Sequence, residues 1–156
     1  MLFSEHNYKF MLAALAEAVA ALEDGEIPIG AVVVHKNKII GKGHNQTERL
    51  KDPTAHAEML AITAAANNLQ NWRLNECELY VNVEPCVMCT GAAIAARIEK
   101  IYFSIYEPKF GACGSLYNIA EGEKTNHKIK VYSGIFQEES EKLMKEFFMK
   151  TRTANN

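Results

Sequence analysis

Two short stretches bring together residue types that can do chemistry: His56-Ala57-Glu58 and, further along, Pro85-Cys86-Val87-Met88-Cys89. Cysteines at i and i+3 share one face when they open a helix. A helix N-terminus also stabilises thiolates, lowering their pKa and favouring metal binding. Pro85, directly before Cys86, suits the first turn of such a helix. His56 and Glu58 are harder to combine, because side chains at i and i+2 in mid-helix point about 200° apart. Both can address one centre only if it lies beyond the helix end, and Asp52-Pro53-Thr54 upstream places His56 in a first turn. The spacing therefore predicts two helix N-termini aimed at one ion.

Ligand number separates a structural site from a catalytic one. Structural zinc usually has four protein ligands, whereas catalytic zinc keeps three and leaves a position for water. His56, Cys86 and Cys89 supply three. Glu58 then stands as the acid/base beside a zinc-bound water, whose pKa falls from 15.7 to about 7 on coordination. A His-x-Glu alone says almost nothing, and a lone Cys-x-x-Cys fits a zinc knuckle or a redox pair; the combination is specific. Cys113 and His127 are the residues that could add a fourth ligand and close the site, while Cys77 reads as a small buried residue.

The surrounding pattern supplies elements to position these groups. Met11, Leu15, Ala18, Val19 and Leu22 have the spacing of an amphipathic helix, capped by Ser4 and stopped at Asp24-Gly25. Pro28 to Val34 is a β-branched run that reads as a buried strand, and His35 to Lys38 as a hairpin turn into a second strand, Ile39 to His44. A polar loop, Asn45 to Thr54, leads to an Ala-rich helix over Ala55 to Asn68. Strands follow at Leu79 to Val83, Ile101 to Ile105 and Ile129 to Tyr132, with helices at Cys86 to Ile98 and Gln137 to Lys150. Leu143, Met144 and Phe147 form the apolar side of the last helix, and 106 to 128 reads as loop. Alternating helices and strands predict a layered α/β domain whose sheet is mixed because of the early hairpin. No linker or repeat divides the 156 residues, so a single domain over 1–156 is expected.

Charge narrows the partners. Seventeen Lys+Arg against nineteen Asp+Glu give a net charge of −2, which argues against a polybasic tail and against a binder held by diffuse electrostatics. Any basic surface must be local, and Lys142, Lys145, Lys150 and Arg152 gather in the last helix and tail. No apolar run approaches the roughly 20 residues that span a bilayer, and the N-terminus lacks a basic signal region. The four cysteines read as cytosolic thiols, and a cytoplasmic location is expected.

With these motifs in view, the chain resembles the zinc-dependent nucleoside and nucleobase deaminases, whose signature pairs His-x-Glu with Pro-Cys-x-x-Cys. Within them it is most similar to the bacterial tRNA adenosine deaminase branch. The matching stretches include Ile27 to Val32, Gly43-His44-Asn45, Asp52 to Glu58, Glu84 to Cys89, Gly111 to Leu116, Asn126-His127 and Phe147-Phe148. The resemblance implies a three-layer α/β/α cytidine-deaminase-like fold with a five-stranded mixed sheet, one Zn2+ per chain, and a homodimer. It implies deamination of the wobble adenosine of a tRNA anticodon, in an arginine tRNA, to inosine. The anticodon stem-loop is then the partner, with no DNA and no membrane expected. It assigns the metal to His56, Cys86 and Cys89 and proton transfer to Glu58. Contacts to the flipped base fall to Asn45 and to backbone groups of Ala57 and Glu84, and the RNA surface to Pro28, Glu107, Lys109 and Phe147. Asn45 suits a purine edge because an amide both donates and accepts; as a turn residue it would instead bond its own backbone. The small residues of Gly91 to Ile98 fit either close helix packing between two chains or packing on the chain's own sheet. A guanine or other free-base deaminase shares the zinc core and is the rival within enzymes. A non-catalytic zinc module, with a closed four-ligand site, is the rival outside them.

Overall fold

Ser4 starts the first helix reciprocally: its hydroxyl accepts from Asn7 N at 3.3 Å while its own N–H donates to Asn7 Oδ1 at 2.9 Å. The computed structural model describes residues 2–155. Its elements run α1 (Glu5–Glu23), β1 (Gly30–His35), β2 (Lys38–His44), α2 (Thr47–Leu50), α3 (Ala57–Leu69), β3 (Cys77–Val83), α4 (Val87–Ala95), β4 (Lys100–Ile105), β5 (Lys130–Ser133) and α5 (Gln137–Ala154). The five strands lie in the order β2-β1-β3-β4-β5. β1 is antiparallel to both β2 and β3, whereas β3, β4 and β5 are parallel. This is the mixed five-stranded sheet expected from the sequence.

Alternation along β1 divides the core. Ala31 and Val33 face Ala57, Ala61, Ala65 and Ala93 of α3 and α4, while Val32 and Val34 face Phe10, Met11 and Ala14 of α1, with Ile135 ahead of α5. Helices thus cover both faces, giving three layers. Because both faces of β1 are buried, its sequence is a continuous apolar run. Tyr80 and Tyr102 stack at 4.6 Å across β3 and β4 on the α1 side, and Tyr132 continues the stack onto β5. A buried polar link fastens α5 to the sheet: Asn82 of β3 accepts from Gly30 N and donates to Pro28 O and Ser140 Oγ, and Ser140 Oγ returns a bond to Asn82 O at 2.7 Å.

Several boundaries differ from the sequence reading, each for a local reason. The hairpin turn is only Lys36-Asn37, both left-handed (φ 49° and 61°), so the strands pair as far as His35 and Lys38. The polar loop after β2 contains the short helix α2. α3 begins at Ala57 and α4 at Val87, so His56 and Cys86 are N-caps with extended backbone. Pro85 therefore lies ahead of the cap rather than in the first turn, its carbonyl accepting from Ala112 N. Leu143, Met144 and Phe147 are only half-buried in α5.

Two glycines set the distance between α3 and the sheet. A Cβ on Gly43 would lie 2.7 Å from Ala61 N and closer still to Ala57 O, and one on Gly41 would lie 2.6 Å from Ala65 N. These contacts are with helix backbone, which cannot rotate away. Gly43→Ala should therefore cost about 1–3 kcal/mol of stability, read as a lower midpoint in denaturant unfolding. Because Ala57 adjoins His56, the same variant should bind zinc more weakly than wild type under conditions where both are folded.

Candidate metal centre and the surrounding groups

The first turns of α3 and α4 meet. His56 Nδ1 lies 3.6 Å from Cys86 Sγ and 3.5 Å from Cys89 Sγ. All three donor atoms fall within 4.8 Å of one another, the one such group among the described residues. The i, i+2 argument from sequence thus has its structural counterpart: each of two N-caps carries a donor, and Cys89 adds the third one turn into α4. A nitrogen and two sulfurs at this separation suit tetrahedral zinc with one position left over.

Proton affinities fit the same use. Cys86 accepts a hydrogen bond from Cys89 and another from His56, which bring its thiol down to about 4. Cys89, the donor of that bond and buried, is held well above the ordinary thiol range. His56 is raised, chiefly by its bond to Cys86. The two sulfurs therefore share one proton. Glu58, 4% exposed, is raised first by burial and further by the charge on Cys86, and it lies within hydrogen-bonding reach of Cys89. A buried carboxyl with few donors can carry a proton in either direction.

The residues that might have closed the site stand elsewhere. Cys113 is buried against Thr90, its sulfur 3.4 Å from Oγ1, and burial pushes its thiol up to about 12. His127 donates to Ile98 O at 2.7 Å. Cys77 is fully buried, with its thiol raised to about 11. The group is a three-donor one among the described residues.

The remaining sequence candidates are distributed around this centre. Asn45 is buried just beyond β2, and the next residue's N–H donates to Ala55 O, beside His56. Its side chain does not bond its own backbone; it reaches Glu26. Ala57 opens α3 and is buried. Glu84 is buried too, and its side chain has a task that sequence reasoning missed. It accepts from Glu107 N at 2.9 Å, Cys113 N and Ser115 N at 3.0 Å, and the Ser115 hydroxyl. Gly111 lies so close that any Cβ would enter this carboxylate. Glu84 thus ties the 107–115 loop to the segment that carries Cys86. Glu107 is half-buried, its carboxylate accepting from Lys109 N, and Lys109 is exposed. Pro28 is buried with its carbonyl on Asn82, and Phe147 lies half-buried on α5, apart from the donor group. Glu26 was also missed. Both acids stand just before a proline, but so does Glu107, so no sequence signal set them apart.

A sheet flanked by helices, with a His and two Cys donors on paired helix caps and a buried glutamate beside them, defines a zinc-dependent deaminase. The sequence profile of the cytidine and deoxycytidylate deaminase zinc-binding region matches residues 4–105, and the chain belongs to that family. Within it, the chain is 48% identical over 143 residues to the tRNA-specific adenosine deaminase of Aquifex aeolicus (strain VF5), covering 92% of this chain and 94% of that one. A solved structure from studies of A-to-I editing by tRNA:A34 deaminases at the wobble position of transfer RNA superposes with a TM-score of 0.83 and 41% identity, covering 86% of this chain and 98% of that one. The guanine deaminase of Bacillus subtilis is more distant, with a TM-score of 0.63, 32% identity and coverage of 80% and 82%. Cys89→Ser and His56→Ala should each reduce bound zinc from about one per chain to a small fraction, measured by elemental analysis after dialysis. Because the proton shared by the sulfurs must leave when a metal enters, zinc affinity in wild type should fall as pH falls.

Proposed function

We propose that this chain, as one domain over 1–156, deaminates the wobble adenosine of a tRNA anticodon to inosine. The observation that carries the reaction class is the three-donor group with a buried glutamate beside it. The similarity to tRNA-specific adenosine deaminases, greater than to a guanine deaminase, supports RNA as the substrate. Zinc held by His56, Cys86 and Cys89 would supply a Lewis acid that makes water nucleophilic near neutral pH. Glu58 would take the proton of the attacking water, pass one to the ring nitrogen next to the reacting carbon, and deliver another to the departing amine. Water adds at that carbon, its C–N bond breaks, and ammonia leaves, so adenosine plus water becomes inosine plus ammonia. The raised Glu58 carboxyl suits a group that must alternate between acid and base.

Substrate contacts follow from placement. Asn45 and the backbone of Ala57 and Glu84 adjoin the donor group, and Glu107, Lys109 and Phe147 would serve the wider RNA surface, whereas Pro28, being buried, would support it without touching RNA. Lys142, Lys145 and Lys150 lie along one exposed side of α5, with Glu146 among them paired to Lys150 at 3.2 Å, so Lys142 and Lys145 are the cations left for phosphate there. A homodimer is supported by the outer face of α4 and its neighbouring loop. Val87, Phe110, Leu116 and Tyr117 are each about half exposed or more, a patch of the kind that marks interfaces. No helix among the described residues is long and apolar enough to cross a membrane, and the proposed location is the cytoplasm, with the tRNA.

Glu58→Ala should retain zinc while kcat falls by about 10²–10⁴-fold. The assay is inosine formation within an anticodon stem-loop, run beside free adenosine and free guanine. Inosine in the stem-loop alone supports the proposal; turnover of guanine in its place would move the chain to the guanine deaminases. Sedimentation of wild type beside Val87→Glu should show a dimer that the variant loses.

A further inference from the structure

Glu26 is 2% exposed in the turn between α1 and β1, and no cationic side chain pairs with it among the described residues. Its charge is met by dipoles instead. Arg49 N donates to Oε1 at 2.8 Å, and Glu48 N at 3.3 Å, Thr47 Oγ1 at 3.5 Å and Asn45 Nδ2 at 3.3 Å all point to Oε2. The last contact fixes an orientation. An amide turned the other way would set its oxygen against a carboxylate oxygen, so Nδ2 must face Glu26. The second Nδ2 hydrogen has Thr47 Oγ1 at 3.5 Å. Both amide donors are engaged by the protein, and Asn45 Oδ1 accepts from none of the described residues. Asn45 is therefore an acceptor towards anything bound beside His56, not the two-way group expected from its chemistry alone.

Resting on the reading of the chain as an RNA adenosine deaminase, we propose that Glu26 is a positioning residue: it turns the Asn45 amide so that Oδ1 accepts the ribose 2′-hydroxyl of the target nucleotide. The choice of partner follows by elimination. An adenosine inside an RNA chain has only two hydrogen-bond donors, the exocyclic amine and the 2′-hydroxyl, because its 3′ and 5′ oxygens are esterified. The amine departs from the reacting carbon and must face the His56–Cys86–Cys89 group and Glu58. The 2′-hydroxyl is the donor that remains, and it is also the group that separates RNA from DNA at one nucleotide.

Glu26→Gln tests the orientation itself. With its oxygen on Arg49 N, the shortest contact, the glutamine would turn its nitrogen to Glu48 N, Thr47 Oγ1 and Asn45. The acceptor that holds Asn45 Nδ2 is then gone, and the Asn45 oxygen can turn inward to the new amide. The experiment compares kcat/KM on two anticodon stem-loops that differ only in a 2′-deoxyadenosine at the target position. Wild type should favour the ribose substrate by roughly five- to tenfold, the value of one such bond, and Glu26→Gln should bring the ratio near one. Asn45→Ala, which removes the acceptor outright, should do the same and serves if the glutamine variant does not fold. A role confined to holding the loop would lower both substrates equally and leave the ratio intact, which overturns the proposal. Equal use of both stem-loops by wild type also overturns it while leaving the deaminase reading in place. Absence of inosine from the ribose stem-loop with wild type would overturn that reading, and the inference with it.

Discussion

Two helix N-termini converge on a space a few ångströms across, and the rest of the molecule is organised to hold them there. Each helix start carries roughly half a positive charge, so the two ends repel unless negative charge lies between them. Cys86 meets that requirement as a thiolate at its own cap, and Cys89 joins it when a cation replaces the proton they share. The same field also favours an oxyanion generated at the centre. Metal affinity and water activation thus have a common electrostatic origin, and neither needs a cationic side chain in the site.

Holding the helices at that distance falls to residues without any chemistry of their own. Gly41 and Gly43 let the backbone of α3 rest directly on β2, and Gly30 does the same for α1 on β1. Parallel pairing of β3 with β4, Val83 opposite Ile105, lets the chain leave β3 at Glu84 and enter α4 within three residues. Glu84 then anchors the loop that follows β4 to this same short segment. A ligand segment between a strand end and a helix start is bounded on both sides by regular structure, so its geometry carries little freedom.

The donor group was legible in the sequence because helix geometry is local: i and i+2 cannot share a face, so spacing alone requires a helix start at His56 and Glu58. The layered sheet was legible for the same reason, from the period of its apolar residues and the run Gly30 to Val34. What stayed hidden depends on contacts between distant positions. Glu26 meets residues about twenty positions away, Glu84 meets a loop at similar or greater separation, and Asn82 meets Ser140 across most of the second half of the chain. No periodicity encodes such pairs. The reading of Asn45 shows the consequence: residue type suggested a two-way hydrogen bonder, and only its neighbour Glu26 reveals that the donors are engaged.

Three buried glutamates surround the site, and their partners distinguish what each can do. Glu26 and Glu84 each receive four hydrogen bonds, two of Glu26's and three of Glu84's from backbone N–H groups. These two carboxylates are committed to the loops they bind and act as fixed anchors for them. Glu58 is buried to the same degree but lacks such a set of donors, and burial raises its carboxyl above the ordinary range. Near-equal burial therefore leaves the three in different surroundings, and the number of N–H groups aimed at each carboxylate separates them. A carboxylate held by four donors is committed to its loop, and of the three only Glu58 lies within reach of Cys89 without such a commitment.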